Sequence, residues 1–163
     1  MKHSLILLAA ASLPACMCAS ASASEPGLRH VFDIHARCAD AICTGDTPHG
    51  RRIMIPIVGG EVTGPALNAV IMPGGADYQL TDTAQHRTEF RAVYSVMTPD
   101  SAYINVENTG ISFSRDGEHY FTTTPAFEAD KNGPYRWLND YIFICRPVNF
   151  APGAVTLRVW QVL

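Results

Sequence analysis

Three side chains stand out for the chemistry they offer: Asp77, Glu128 and Tyr94. Asp77 follows the small residues Gly74-Gly75-Ala76 and precedes Tyr78. A carboxylate in that setting either caps a turn by accepting local N–H groups or projects into a cavity as a general base. Glu128 follows Pro125-Ala126-Phe127, in a segment expected to form a loop over the mouth of a barrel. Two carboxyl groups in unequal environments can divide acid and base roles, and the phenol of Tyr94 adds a proton donor. Around this catalytic set stand ligand-binding candidates: Arg52, the phenols of Tyr120 and Tyr135, the apolar wall of Trp137 and the amide of Asn139. The plainer alternatives are packing for the aromatics and turn capping for Asn139. Arg52 is expected to pair with Asp77 or Glu128, which would lower that carboxylate's pKa and weaken it as a base.

Other chemistries lack their signatures. The chain holds no G-x-S-x-G elbow, no phosphate loop, no H-E-x-x-H and no dinucleotide fingerprint. Gly59-Gly60 and Gly74-Gly75 precede no helix, so they read as turns at barrel corners rather than phosphate cradles. The six histidines show no ligand spacing, and His30 and His35, five apart on an expected strand, fall on opposite faces. No metal and no cofactor are expected.

The elements that must position these side chains read as strands. Residues 28–36 and the β-branched run 51–58 are the first two, with a loop at 37–50 between them. Pro56 cannot donate to a ladder, so the second strand is expected at an edge or bulged there. Leu67 to Met72 forms a short strand within the glycine-rich stretch 59–77, and Asp77 opens the next. Residues 88–98 give a clear two-residue period, with Phe90, Ala92, Tyr94, Val96 and Thr98 on one face. Further strands are expected at 103–107, 120–124, 141–145 and 155–162, the first of these ended by Asn108-Thr109-Gly110, and a helical turn at 135–139. In the last strand Val155, Leu157 and Val159 share a face. Many short strands, frequent turns and no long amphipathic helix predict an all-β sandwich or barrel in a single domain, 24–163.

Residues 1–23 have the plan of a secretory signal peptide: Lys2, the apolar run Leu5–Ala11, then a small-residue region with A-x-A cleavage sites. The run is too short to span a bilayer, and no membrane span is expected later. Leu13-Pro14-Ala15-Cys16 offers a second reading, a lipid anchor at Cys16. The expected location is therefore periplasmic or secreted, or the outer membrane as a lipoprotein. Cleavage near Ser24 removes only Lys2 among the charged residues, leaving 11 basic against 15 acidic residues, a net of −4. That balance disfavours nucleic acid, whose binding rests on phosphate neutralisation. Export permits disulfides. Cys38 and Cys43 enclose four residues and invite a local clip, with Cys43–Cys145 as an alternative, while Cys145 in the run 141–145 reads as a buried thiol.

Two motifs carry a resemblance over the whole domain: Pro73-Gly74-Gly75-Ala76-Asp77-Tyr78, and Tyr120-Phe121-x-Thr123-x-Pro125-x-Phe127-Glu128. With Gly50-Arg51-Arg52, Thr98-Pro99-Asp100 and Tyr135-Arg136-Trp137-Leu138-Asn139 in the same order and spacing, the chain resembles the domain of unknown function 3237 family. The resemblance implies a compact antiparallel β-barrel, somewhat like the lipocalins, often oligomeric, with no established reaction. Thr123, inside the second motif, completes the ligand-binding candidates. This chain carries Thr122 where members usually have Arg, which puts an anion-binding role there in doubt, and Asn108-Thr109-Gly110-Ile111 replaces a basic glycine-rich segment. Three functions follow as expectations: a barrel binding a small apolar or aromatic molecule, a cofactor-independent lyase or isomerase using Asp77 and Glu128, or a homo-oligomeric assembly module.

Overall fold

Eight staves close an antiparallel barrel in the computed structural model, which describes residues 25–163. The expected signal peptide and the alternative anchor at Cys16 lie outside those residues. The strands are β1 (Leu28–Cys38), β2 (Ile42–Thr47), β3 (Gly50–Thr63), β4 (Ala69–Ile71), β5 (Gly75–Asp82), β6 (Arg87–Met97), β7 (Tyr103–Arg115), β8 (Glu118–Glu128), β9 (Phe143–Ala151) and β10 (Ala154–Val162). Around the barrel the order runs β1-β10-β9-β8-β7-β6, then β4 and β5 sharing one stave, then β3, which returns to β1. The all-β barrel expected from the strand pattern and the resemblance is the fold observed.

Several details differ from the sequence reading, each for a physical reason. The expected loop at 37–50 contains β2, a hairpin arm that pairs only with β3, on the side of β3 that β1 takes up farther along. β3 is not an edge: it pairs with β1, β2, β4 and β5. Its irregularity sits beside Pro56, where the register against β1 slips between Arg37 and Cys38. Gly59 and Gly60 lie inside β3 with φ of 144° and 128° and make a corner, where β3 exchanges β5 for β4 as partner. A Cβ on Gly60 would collide with the carbonyl of His35, so the corner requires glycine. β7 runs unbroken through Asn108-Thr109-Gly110. Gly110 is there for closeness, since a Cβ would press on Thr122 and Thr123 of β8.

The expected disulfide does not form: Cys38, Cys43 and Cys145 are all free. Cys38 pairs with Ile57 of β3 and Cys43 with Ile53. Four residue steps along the strand separate those partners by about 13 Å, far beyond the roughly 7 Å that a disulfide spans between Cα atoms. Cys145 is completely buried in β9 and Cys43 is exposed on β2, and both are free.

The barrel is filled at one end only. Phe32, Ile34, Val62, Ile71, Val96, Ile104, Val106, Phe143 and Val159 are all nearly fully buried and form the core. Phe127 joins it through edge-on contacts to Phe32 and Phe143, with ring centroids 5.6 and 5.1 Å apart. Each such buried side chain contributes about 1.5–3 kcal/mol. The 3-10 turn Arg136–Asn139 covers this end, with Leu138 buried and Trp137 edge-on to Phe143 at 5.9 Å.

Candidate functional site

The other end is hollow. Continuing inward-facing positions past the core leads from Val96 to Tyr94, Ala92 and Phe90 on β6, and from Val106 to Asn108 on β7. On β8 the same phase leads from Phe127 to Thr123 and Phe121, on β10 from Val159 to Leu157 and Val155, and on β1 from Ile34 to Ala36 and Cys38. These residues, with Ile55, Ile57, Asp77 and Gln79 of β3 and β5, enclose a cavity of about 420 Å3. That lies within the range of about 300–1,000 Å3 usual for small-molecule sites. Its rim carries Ala39-Asp40-Ala41, Phe150 and Gly153. Phe90 stacks on Phe121 at 4.5 Å between centroids, and Phe121 lies 6.2 Å from Phe150.

Four polar atoms mark the boundary between core and cavity. Asp77 Oδ1, Tyr94 OH, Asn108 Oδ1 and Thr123 Oγ1 are buried without a hydrogen-bond partner. All four residues line the cavity. Among the described residues no other buried side-chain nitrogen or oxygen is left unpaired. An unmet buried group costs about 1–3 kcal/mol, so their convergence points to a partner that the folded chain does not itself supply.

The electrostatics follow from burial. Asp77 accepts a hydrogen bond on Oδ2 from Gln79 Nε2 at 2.7 Å. Desolvation nevertheless holds its pKa above the usual carboxylate value, against the lowering effects of Gln79 and the Arg91 backbone N–H. Burial pushes the Tyr94 phenol far up, so it stays protonated. Burial, and then the charge of Asp77, raises the Cys38 thiol. Cys145 is pushed up to about 12 by burial, with Thr123 and Asn108 opposing. It behaves as the inert buried thiol expected. Neither of those two neighbours gains from it a hydrogen bond of adequate geometry.

Of the residues singled out from sequence, Asp77, Tyr94 and Thr123 meet in the cavity. Glu128 does not: it is exposed at the filled end of β8, where Asn105 Nδ2 donates to its Oε2 at 3.4 Å. The segment taken for a loop over the mouth is strand. Arg52 pairs with neither carboxylate. It is in register with Leu80, three residues from Asp77 and so on the opposite face, and lies in an outer groove with Arg87 and Arg91. Tyr120 also faces outward, stacked on Phe113 at 5.1 Å. Tyr135 and Trp137 pack on the core at the closed end, and the Tyr135 hydroxyl donates to Asp100 Oδ1 at 2.9 Å. Asn139 caps: it accepts from Ala129 N at 2.8 Å and donates to Ala129 O at 3.0 Å. Leu67 is core, while Val70 of β4 is exposed.

Asn108, Gln79, Cys38 and the aromatic rim were missed. Asn108 continues the two-residue phase of Ile104 and Val106, but the Asn-Thr-Gly turn signal obscured it. Among the described residues no group of three His, Cys, Asp or Glu is placed to hold a metal, and no helix is long and apolar enough to cross a membrane.

Fold and site define an antiparallel β-barrel packed at one end and open, with a polar floor, at the other. Residues 26–162 match the family described as protein of unknown function DUF3237, and the chain belongs to that family. It is 38% identical over 149 residues to a UPF0311 protein of Bradyrhizobium diazoefficiens, covering 83% of this chain and 95% of the relative. The crystal structure of a conserved protein of unknown function from Rhodopseudomonas palustris is 35% identical and superposes with a TM-score of 0.77, over 86% of this chain and all (100%) of the other. A β-barrel-like protein from Acinetobacter baumannii, 22% identical, shares the fold at a TM-score of 0.79, over 88% of this chain and 99% of the other.

Proposed function

We propose that this chain is an exported β-barrel protein that binds a small apolar or aromatic molecule in its open end. One observation carries the reading: four buried, unpartnered polar atoms converge on one cavity whose remaining walls are largely apolar. Such a cavity buries a ligand's apolar body while a few fixed polar groups orient it. Export rests on the leader pattern of residues 1–23, and mass spectrometry of the mature N-terminus distinguishes cleavage near Ser24 from an anchor at Cys16. Binding is tested by native mass spectrometry of the purified protein, before and after mild denaturation. The expected result is a stoichiometric small molecule lost on denaturation and restored on refolding with an extract of the host. Failure of any extract to restore a bound mass would count against the reading.

A second reading, proton-transfer chemistry without a cofactor, is favoured by Asp77 and Tyr94 lining the same cavity. A carboxyl raised by desolvation is a better base once ionised, and a protonated phenol can return the proton. Glu128 has no part in it, because it faces solvent away from the cavity. Turnover abolished by Asp77→Asn with binding retained would support this chemistry. Binding without turnover in the wild type, over ligands recovered from the cavity, would remove it.

A further inference from the structure

We propose that the cavity selects ligands by charge and donor capacity: its floor receives an uncharged group bearing a hydrogen-bond donor, on a flat and otherwise apolar body, and turns away anions. The inference rests on the binding reading above and specifies the ligand class.

The polar floor is a built site. Tyr94, Asn108 and Thr123 are only 5%, 4% and 4% exposed, and the oxygen of each is unpartnered. The unpartnered atoms are weighted toward acceptance. Asp77 Oδ1 and Asn108 Oδ1 are a carboxylate and an amide oxygen, while the hydroxyls of Tyr94 and Thr123 donate or accept as required. A ligand supplying an O–H or N–H satisfies an acceptor outright and can accept from a hydroxyl in return. A ligand whose only polar atom is an acceptor leaves Asp77 Oδ1 unmet, and an unmet buried acceptor is the costly case.

Charge points the same way. The charged residues along the cavity are Asp77 and, at the rim, Asp40, and among the described residues no Lys, Arg or His lines it. Arg52, Arg87 and Arg91 gather in a different groove, on the outer face of the same sheet region. An anion entering the cavity would meet a carboxylate in a partly desolvated space with no countercharge, where like charges repel far more strongly than in water. The stacked pair Phe90 and Phe121, with Phe150 beyond, offers flat apolar surface for a planar body.

The test uses four naphthalenes of nearly equal body: 2-naphthol, 1-naphthylamine, 2-methoxynaphthalene and 2-naphthoate. Each is titrated calorimetrically into the whole mature protein at pH 7.5. Naphthol and naphthylamine should saturate at one per chain. Methoxynaphthalene, which lacks the donor, and naphthoate, which is anionic, should each bind at least about tenfold more weakly, a difference of about 1.4 kcal/mol. In Asp77→Asn the gap between naphthoate and naphthol should narrow. The comparison on the wild type stands even where that variant fails to fold. Naphthoate binding as tightly as naphthol overturns the charge preference, and methoxynaphthalene equal to naphthol overturns the donor requirement. In either case the binding reading survives. If none of the four binds, the proposal and the reading beneath it fall together.

Discussion

Replacing Thr123 by Val should make the empty protein more stable and the liganded one less so. Thr123 Oγ1 lies buried at the junction of core and cavity with no partner, and its strand neighbour across the seam is Cys145. Valine keeps the side-chain shape and removes the hydroxyl. An unpaired buried hydroxyl costs about 1–3 kcal/mol, and water in the cavity recovers part of that. A net stabilisation of about 0.5–2 kcal/mol follows, which for a domain of this size is read at about 2–4 °C in Tm per kcal/mol. If the hydroxyl meets the ligand, its loss should weaken binding by about 0.5–1.5 kcal/mol, roughly two- to twelvefold. The assay is a pair of melts, urea and thermal, at pH 7, followed by titration of 2-naphthol into wild type and variant. A variant destabilised by more than about 1 kcal/mol would refute the reasoning, because it would mean that Oγ1 is well satisfied in the free protein.

Asp77→Asn should remove a pH dependence from stability. Its folded pKa is raised, so wild type compares best with the variant below the unfolded value of about 3.9, loses ground as pH rises toward the folded pKa, and then levels off. Melts from pH 3 to pH 8 read it. Asp33 has the opposite sign: Arg158 donates to both its oxygens at 3.0 Å and lowers its pKa. Its contribution is full above about 3.9 and fades as pH falls through the lowered folded value, so Asp33→Asn should cost stability at pH 7 and progressively less as pH falls below about 3.9. Gly75→Ala should destabilise by about 1–3 kcal/mol, because the new Cβ would press on Tyr94 and the carbonyl of Val93, tilting a cavity residue as well. Glu128→Gln should leave ligand affinity unchanged within error in the naphthol titration, whereas an effect of tenfold would place that carboxylate in the site after all.

Periodicity made the inner face of the barrel legible. The alternation through Phe90, Ala92, Tyr94 and Val96, and through Val155, Leu157 and Val159, grouped residues on shared faces, and the structure turns those faces inward. Alternation cannot say how far along a strand the core stops and a cavity begins. That depends on how strands from distant parts of the chain are staggered, so Tyr135 and Trp137 at the closed end looked equivalent to Tyr94 in the hollow. Local turn signals misled twice. Asn108-Thr109-Gly110 is strand because β8 needs the room over Gly110, and Gly59-Gly60 is a corner inside β3 rather than its end. The pairing expected between Arg52 and Asp77 failed on phase, since Arg52 is in register with Leu80, three residues from Asp77, and an odd offset turns two side chains to opposite sides of a sheet.

The central claim is that a small neutral molecule occupies the hollow end of the barrel. Ala92 is the position to test it, lying in register with Asp77 on one side and Asn108 on the other. A phenyl ring there would fill the space that the four polar atoms surround. The measurement is the Kd of 1-aminoanthracene, a flat neutral fluorophore bearing an amine, for wild type and for Ala92→Phe of unchanged circular dichroism. Saturable binding at one per chain, weakened at least about tenfold by the substitution, is the predicted result. Equal affinity in the two folded proteins would place the ligand elsewhere and contradict the account.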